Sequence, residues 1–364
     1  MQTPERYDVL VLGGGAAGCA LAARLSENAE RTVCLVEAGP DYGHLSEGRW
    51  PADILDPRWL ALESHLWERD DEEDRSQARA RILGGCSAHN ACVLLEGAPS
   101  DYDWGEEWSY EAFAPYLRRA YAALRGHVLA DEELTPWHRA FRDAGGEDSI
   151  VHPVNILDGV RWHTGFAYVD PARARENLTL LGDTLVDRVL LDDGRATGAV
   201  ADGRELVADV VVVSAGAYGS PGILLRSGVG PEGEVAQLPV GEGLTDHVGI
   251  GSAWEPTQRL LDETAAHEVE HGLYMGQVTI AASSRSCPPG VRDLFVFPAL
   301  EVGPEISGAA FAMKPHSRGS VRLHARDAHA PLAIDHGFLR DERDVEVLTE
   351  GFERLRRLVE TPEV

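Results

Sequence analysis

The sequence is short of positive charge, of paired cysteines and of long apolar runs, and each shortage removes a class of protein. Its 364 residues carry 33 Lys and Arg against 60 Asp and Glu, a formal charge of −27, and Lys314 is the only lysine. Gripping nucleic acid requires clustered cations to neutralise phosphates, so a nucleic-acid surface is excluded. The five cysteines (Cys19, Cys34, Cys86, Cys92 and Cys287) are odd in number and never spaced C-x-x-C. That argues against a disulfide framework and against a zinc site. Cys19 and Cys34 fall in apolar patterns and are expected in the core. No run of about 18 apolar residues is present to span a bilayer. The opening MQTPERYDVL lacks the apolar core of a secretory signal, so a cytoplasmic protein is expected.

What is there is a globular composition, 44% hydrophobic and 26% charged, in a chain longer than one core usually serves. Two lobes are expected. The first forty or so residues read strand, turn, helix, strand: YDVLVLG, then GGAAGCALAARLSE, then RTVCLVEAG. This is a βαβ unit. The acidic run from Glu68 to Arg75 is expected to be solvated. In SYEAFAPYLRRAYAALRG, Phe113, Tyr116, Leu117 and Tyr121 fall at helical spacings and are expected on one buried face. After Asn177, short apolar runs punctuated by Asp-Asp-Gly and Ala-Asp-Gly predict β-ribbons followed by a buried strand, VVVVSAG. Beyond Val248, the stretches YMGQVTIAA, LFVFPALEV and SVRLHA predict a second lobe on a mostly antiparallel sheet, and a last helix is predicted from near Asp341.

Between the first strand and helix lies Gly13-Gly14-Gly15-Ala16-Ala17-Gly18, a G-x-G-x-x-G match, and Glu37 closes the second strand 19 residues after Gly18. Gly13 permits the tight turn, Gly15 admits a pyrophosphate to the backbone, and Gly18 packs helix on sheet. Glu37 is placed to accept hydrogen bonds from ribose hydroxyls. The motif predicts a bound dinucleotide and leaves FAD and NAD open.

Two further strings settle that choice: Arg81-Ile82-Leu83-Gly84-Gly85-Cys86-Ser87-Ala88-His89-Asn90 and the long segment from Gly216 to Gly230, GAYGSPGILLRSGVG. Both resemble signature segments of the glucose-methanol-choline (GMC) flavoprotein oxidoreductases. Leu238–His247, LPVGEGLTDH, and Ser317–Val321, SRGSV, are similar to two more of that family's stretches. The resemblance runs in order over nearly the whole chain. It implies an α/β fold: a Rossmann-like FAD-binding domain with a parallel sheet and β-ribbons, interleaved with a substrate lobe of α+β type on a mostly antiparallel sheet. The implied divisions are 1–110 and 171–248 for the FAD-binding domain, 111–170 for a substrate-lobe or cap segment, and 249–364 for the substrate-binding domain. It carries over Gly84, Gly85, Ser87, Asn90 and Ala91 as FAD contacts, Val186 as a backbone contact of the adenine, and Gly216 as a close neighbour of the cofactor. An exposed Gly-Gly backbone followed by small polar residues is what a diphosphate or flavin edge requires.

His89 stands in GGCSAHNAC. The choline-oxidase-like members of the family have a histidine there bonded covalently to the flavin, so the resemblance implies attachment of FAD through His89. The family's H-x-x-G-T-C-R-M-G-like segment, which carries its active-site histidine, has no match in this sequence. Of the 14 histidines, none of His247, His267, His271, His324 and His336 stands in a matching motif for the base. His267 and His271, four apart, are expected on a solvated helix rather than on a metal. The resemblance therefore implies an FAD-dependent oxidoreductase acting on CH–OH groups, with oxygen or an electron carrier as acceptor. The alternative is a flavin-binding chain inactive on alcohols without a complementary C-terminal segment or partner. An NAD-dependent dehydrogenase leaves the later strings unexplained.

Overall fold

The β-branched run of β1 (Glu5–Leu12) feeds a glycine turn and α1 (Ala16–Leu25), and the chain returns as β2 (Val33–Val36). This computed structural model describes residues 5–67, 78–102, 104–288, 290–300 and 306–361, so the acidic run from Glu68 to Arg75 lies outside the described residues. Next come α2 (Tyr110–Ala123), α3 (Pro136–Gly145) and β3 (Ser149–Val151). They are followed by β4 (Leu178–Leu181), β5 (Val186–Asp192), β6 (Arg195–Ala201), β7 (Arg204–Val213) and α4 (Gly216–Arg226). The last part holds β8 (Glu242–Leu244), β9 (Val248–Trp254), α5 (Gln258–His271), β10 (Val278–Ala282) and β11 (Leu294–Leu300). It ends with β12 (Ile306–Ala312), β13 (Gly319–Leu323), β14 (Leu332–Asp335) and α6 (Glu342–Val359). Bridges and single turns join these elements.

The first sheet has the order β4-β2-β1-β7-β6-β5. β1 lies between β2 and β7 and is parallel to both, with Leu10 opposite Cys34 on one side and Val211 on the other. Both of its faces are covered: Val9 and Val11 pack with Cys19 and Ala22 of α1, while Leu10 and Leu12 pack with Cys34 and Ile223. Cys19 and Cys34 are fully buried, as their apolar surroundings in sequence imply. β5, β6 and β7 are antiparallel ribbons turning at Asp193-Gly194 and Asp202-Gly203. All four turn residues have positive φ, the conformation that matches a two-residue hairpin to strand twist. This is the Rossmann-like sheet with ribbons that the sequence implies. The parallel strands β1 and β7 end where α1 and α4 begin, which opens a crevice at their carboxyl ends.

The second sheet, β9-β12-β11-β10-β3, is antiparallel throughout. One face is covered by α3 and α6, whose Trp137, Phe141 and Leu355 pack on Ile280, Leu294, Val296 and Ala310. Three expectations need correction. β13, the SVRLHA stretch, lies outside this sheet; it pairs with β8 and β14 and packs on α4. Its partner β14 follows directly in the chain, and a side chain at Gly319 would overlap the Asp335 carbonyl oxygen, so the tight local pairing wins. The VVVV run is half-buried, with Val210 51% exposed, because α1 packs on β1 and β2 and α4 on β5 rather than over β7. Tyr116 of α2 is 60% exposed and Ala114 is that helix's buried residue; Phe113 leans on Tyr102 and Trp108 instead of a core.

Candidate functional site

Each glycine of the first turn has a different neighbour. Gly13 takes φ +108°, and a Cβ there would stand 2.6 Å from the Ser214 carbonyl oxygen of the strand beside it. At Gly18 a Cβ would overlap the Gly13 carbonyl oxygen, so α1 lies on the turn with no room for a side chain. Gly15 is different: its backbone is extended, and the nearest atom to a Cβ would be the Gly85 Cα at 3.9 Å. Gly84 and Gly85 bring the second glycine loop onto the first. The Gly84 N–H donates to the Gly14 carbonyl at 2.7 Å, and a Cβ on Gly85 would stand 2.7 Å from the Gly15 Cα. Only backbone fits between the two loops.

Helix termini explain why the space between these loops suits an anion. α2, α3, α5 and α6 are each capped by a side chain, from Ser109, Thr135, Thr257 and Asp341 respectively. α1, α4 and the single turn Gly85–Ala88 have no side-chain cap and no acidic residue in the first turn. Their open N–H groups and positive dipole ends face one cavity of about 1290 Å³, lined by Gly13, Gly15, Glu37, Gly85, Val186 and Gly216 among others. That exceeds the roughly 300–1,000 Å³ of a drug-sized site and suits a dinucleotide. A Cβ on Gly216 would meet nothing within 4 Å, so this glycine too fronts open space.

Glu37 directly follows β2 with its carboxylate buried, accepting the Gly14 N–H at 2.8 Å and the Gly39 N–H at 2.8 Å. Burial pushes its pKa up to about 7, against those two N–H bonds and the Arg81 charge, which pull it down. In the flavin-free protein the proton is held more tightly folded than unfolded. The stability that Glu37 contributes is therefore greatest below the ordinary Glu pKa of 4.5 and is lost as pH rises towards 7. The buried His89 and His163 titrate in the same window with the opposite sign, so the Glu37 contribution is read as a difference: the stability of the parent relative to Glu37→Gln in urea unfolding is expected to fall by about 3 kcal/mol across it. The variant also sets its amide against one of the two N–H donors and is expected to bind FAD more weakly.

The remaining expected site residues lie behind the cavity wall or beyond it. Ser87 Oγ donates to the Gly84 carbonyl at 2.7 Å and meets Thr164 Oγ1 at 2.9 Å, tying the loop to itself. Asn90 Oδ1 caps the Cys92 N–H at 3.0 Å. Ala91 packs near Gly276, where a Cβ would stand 3.7 Å from its methyl group. His89 is 6% exposed, its Nδ1 has no hydrogen-bond partner, and burial pushes its pKa down to about 4, helped by Arg161 and Arg79. The ring is neutral at pH 7.

The sequence reading missed several residues here. Cys86 and Arg81 line the cavity, and Arg81 lies over the Trp67 ring. His163 backs the second loop, so close that a Cβ on Gly84 would stand 2.6 Å from its Nδ1; burial pushes it down to about 3. Arg79 joins Tyr218 at 3.0 Å and Asp246 at 3.2 Å, and the Tyr218 hydroxyl meets His336 Nε2 at 2.8 Å. Tyr218 lies inside the GAYGSPG string and could have been singled out. Its partners, up to 139 residues away, leave no spacing to read. His247 pairs with Asp246 at 3.1 Å, and the His267 and His271 rings lie 5.0 Å apart. No group of three metal-ligating side chains stands together among the described residues.

Fold and site together define a Rossmann-like dinucleotide-binding protein. Two family models described as GMC oxidoreductase match residues 7–249 and 315–364, and the chain belongs to the GMC oxidoreductase family, whose cofactor is FAD. It is similar to pyridoxine 4-oxidase of Microbacterium luteolum, 28% identical over 428 aligned residues covering 99% of this chain and 82% of that one. Choline oxidase of Arthrobacter globiformis is 27% identical over 98% of this chain and 76% of its own length. Among solved structures, pyridoxine 4-oxidase from Mesorbium loti superposes with a TM-score of 0.83 at 26% identity, covering 98% of this chain and 81% of that one. No helix among the described residues is long and apolar enough to cross a membrane.

Proposed function

We propose that this protein oxidises the CH–OH group of a small alcohol to an aldehyde or ketone, with FAD held by Gly13, Gly15, Gly18, Glu37, Gly84, Gly85, Ser87, His89, Asn90, Ala91, Val186 and Gly216. The observation that carries this reading is the convergence of three uncapped helical N-termini and two backbone-only glycine loops on one cavity, a cradle that a side chain at Gly15 would fill. The open N–H groups hold the diphosphate, the Glu37 carboxylate accepts from the adenosine ribose, and the backbone at Val186 meets the adenine edge. Gly18, Ser87 and Asn90 hold the loops in shape. When bound, FAD accepts the hydride of the carbinol carbon. The neutral His89 ring, with Nδ1 unsatisfied, suits covalent attachment of the flavin. The electrons pass on to oxygen or to a carrier, in the cytoplasm.

A second reading, a chain that holds flavin without oxidising alcohols, is favoured by the burial of two histidines at the flavin loop. His89 and His163 lie buried in or behind the flavin loop, whereas His324 and His329 line the cavity. Lack of a general base costs about a hundred- to ten-thousand-fold in rate. Anaerobic mixing of the flavin-loaded chain with a panel of alcohols decides between the two. Flavin bleaching at about one per second or faster, as working enzymes reach, supports oxidation. Bleaching slower by that factor or absent, with flavin still bound, supports the second reading. A chain that takes up no flavin on refolding overturns both.

A further inference from the structure

Arg161 is completely buried, and the groups that hold its guanidinium are uncharged. Nε donates to the Ile54 carbonyl at 3.0 Å, Nη2 to the carbonyls of Asp56 and Trp59, and Nη1 to Cys92 Sγ at 3.7 Å. The Asp56 carboxylate is engaged by Arg58 at 2.7 Å, and among the described residues no acid is ion-paired with Arg161. Arg79, Arg173 and Arg226, by contrast, have carboxylate partners in Asp246, in Asp41 with Asp170, and in Asp187. Holding a charge out of water without a counter-charge is costly, and three carbonyl dipoles offset only part of that cost. Neutral donors would satisfy the same carbonyls, so the charge itself calls for a role.

Three ties join this charge to the loop that carries His89. Cys92, whose sulfur accepts from Nη1, lies three residues beyond His89 and holds a left-handed backbone, φ +59°, that a residue with a side chain seldom takes. Ala61, two residues after the Trp59 carbonyl, donates its N–H to the His89 carbonyl at 3.0 Å. On the third side the chain runs from Arg161 to His163, whose ring backs Gly84. The field of Arg161 reaches both rings and helps to keep each neutral. The cation therefore stands directly behind the loop that carries the flavin contacts.

We propose that Arg161 is the counter-charge for the reduced flavin: its buried, unpaired guanidinium stabilises the negative charge that the flavin acquires on taking up a hydride. This rests on the function proposed above and goes beyond it in naming the residue that tunes the flavin. In that reaction the carbinol C–H bond breaks, its electron pair and proton pass to the flavin, and the hydroxyl proton leaves to solvent. The substrate ends as a neutral carbonyl compound, and the flavin gains one net negative charge. Before reduction the guanidinium has no counter-charge; after it, the pair is complete. The attraction acts through a site from which water is excluded, where it is stronger than in bulk solvent.

The test measures the midpoint potential of the bound flavin and its affinity for sulfite, a nucleophile that adds to oxidised flavin and leaves one negative charge on it. Arg161→Gln keeps neutral donors for the carbonyls and loses the charge. It is expected to lower the potential by about 30 mV or more, tenfold in a two-electron equilibrium, and to weaken sulfite binding by about tenfold or more. Arg161→Lys keeps the charge without the fork of donors and is expected to stay within about threefold of the parent in sulfite affinity. In the flavin-free Arg161→Gln protein the His89 and His163 rings are expected to titrate at higher pH than in the parent, by nuclear magnetic resonance, and in Arg161→Lys to stay near the parent. Should Arg161→Gln not fold, the parent decides: its reduced flavin is expected to stay anionic at least about one pH unit below the point at which free reduced flavin takes up its proton, by its ultraviolet spectrum. A sulfite affinity in Arg161→Gln within about twofold of the parent, equal losses in Arg161→Lys, unmoved histidines, or a reduced flavin protonated where free flavin is, overturns the inference. None of these readouts uses an alcohol. A flavin-loaded chain that no alcohol bleaches therefore counts against the proposed function, while the role of Arg161 is still decided.

Discussion

Gly15→Ala is expected to fold normally and to emerge from purification without flavin, whereas Gly18→Ala is expected to melt at a clearly lower temperature than the parent. The two glycines sit three residues apart in one motif and differ in what surrounds them. The Gly15 backbone is extended, with φ −73°, a conformation open to alanine, and no atom lies closer than 3.9 Å to its Cβ position. The methyl group therefore strains nothing in the protein and occupies the gap into which the glycine loops and the N-terminus of α1 point. At Gly18 the same methyl overlaps the Gly13 carbonyl oxygen and stands 2.9 Å from Ser214 Oγ, so α1 must lift from β1. Overpacking of that kind costs about 1–3 kcal/mol or more, a large share of the roughly 5–15 kcal/mol that holds a domain folded. Circular-dichroism melting and the flavin-to-protein ratio separate the two outcomes. A Gly15→Ala protein carrying flavin at the parent's ratio would sink this account of the cradle.

Acid-precipitated protein is expected to keep its flavin, and the His89→Ala variant to release all of it. The imidazole that forms a bond must be neutral, and burial of His89 holds its pKa at about 4, so the lone pair is free over the whole range in which the protein is handled. Nδ1 has no partner in the protein to compete for it. Mass spectrometry of the peptide containing His89 should find a flavin-sized addition. A tethered imidazole withdraws electron density from the flavin, so the variant is also expected to hold flavin of lower reduction potential and to reduce it more slowly. Quantitative release of unmodified flavin from the parent protein by acid would show that the ring is packed rather than bonded.

Conversely, Glu37 illustrates how far a local reading reaches. The role proposed for it beside a ribose follows from its distance along the chain from Gly18, because a strand, a helix of fixed rise and a second strand leave little freedom in where the residue lands. Its buried carboxylate, shared between the N–H groups of Gly14 and Gly39, was not legible, since Gly39 becomes a neighbour only once β2 ends in a turn. Tyr116 is the opposite case. Its helical spacing matches α2, yet no core comes to meet that side of the helix, and the ring is left in solvent.

By itself the sequence determined the elements whose geometry is local. The glycine turn, the hairpins at Asp193-Gly194 and Asp202-Gly203, and the βαβ unit follow from φ preferences and hydrophobic period, which act within a few residues. Ordered strings spread over the chain were enough to carry the family and its cofactor. Only the tertiary structure decided which distant side chains meet. Arg79 with Tyr218, His163 behind Gly84, the placement of β13 beside α4, and His152 facing Phe297 with both nitrogens unpaired are outcomes of packing between segments that no spacing links. The physical reason is that burial is a property of what covers a residue: the free energy of a polar group depends on partners supplied from elsewhere in the fold.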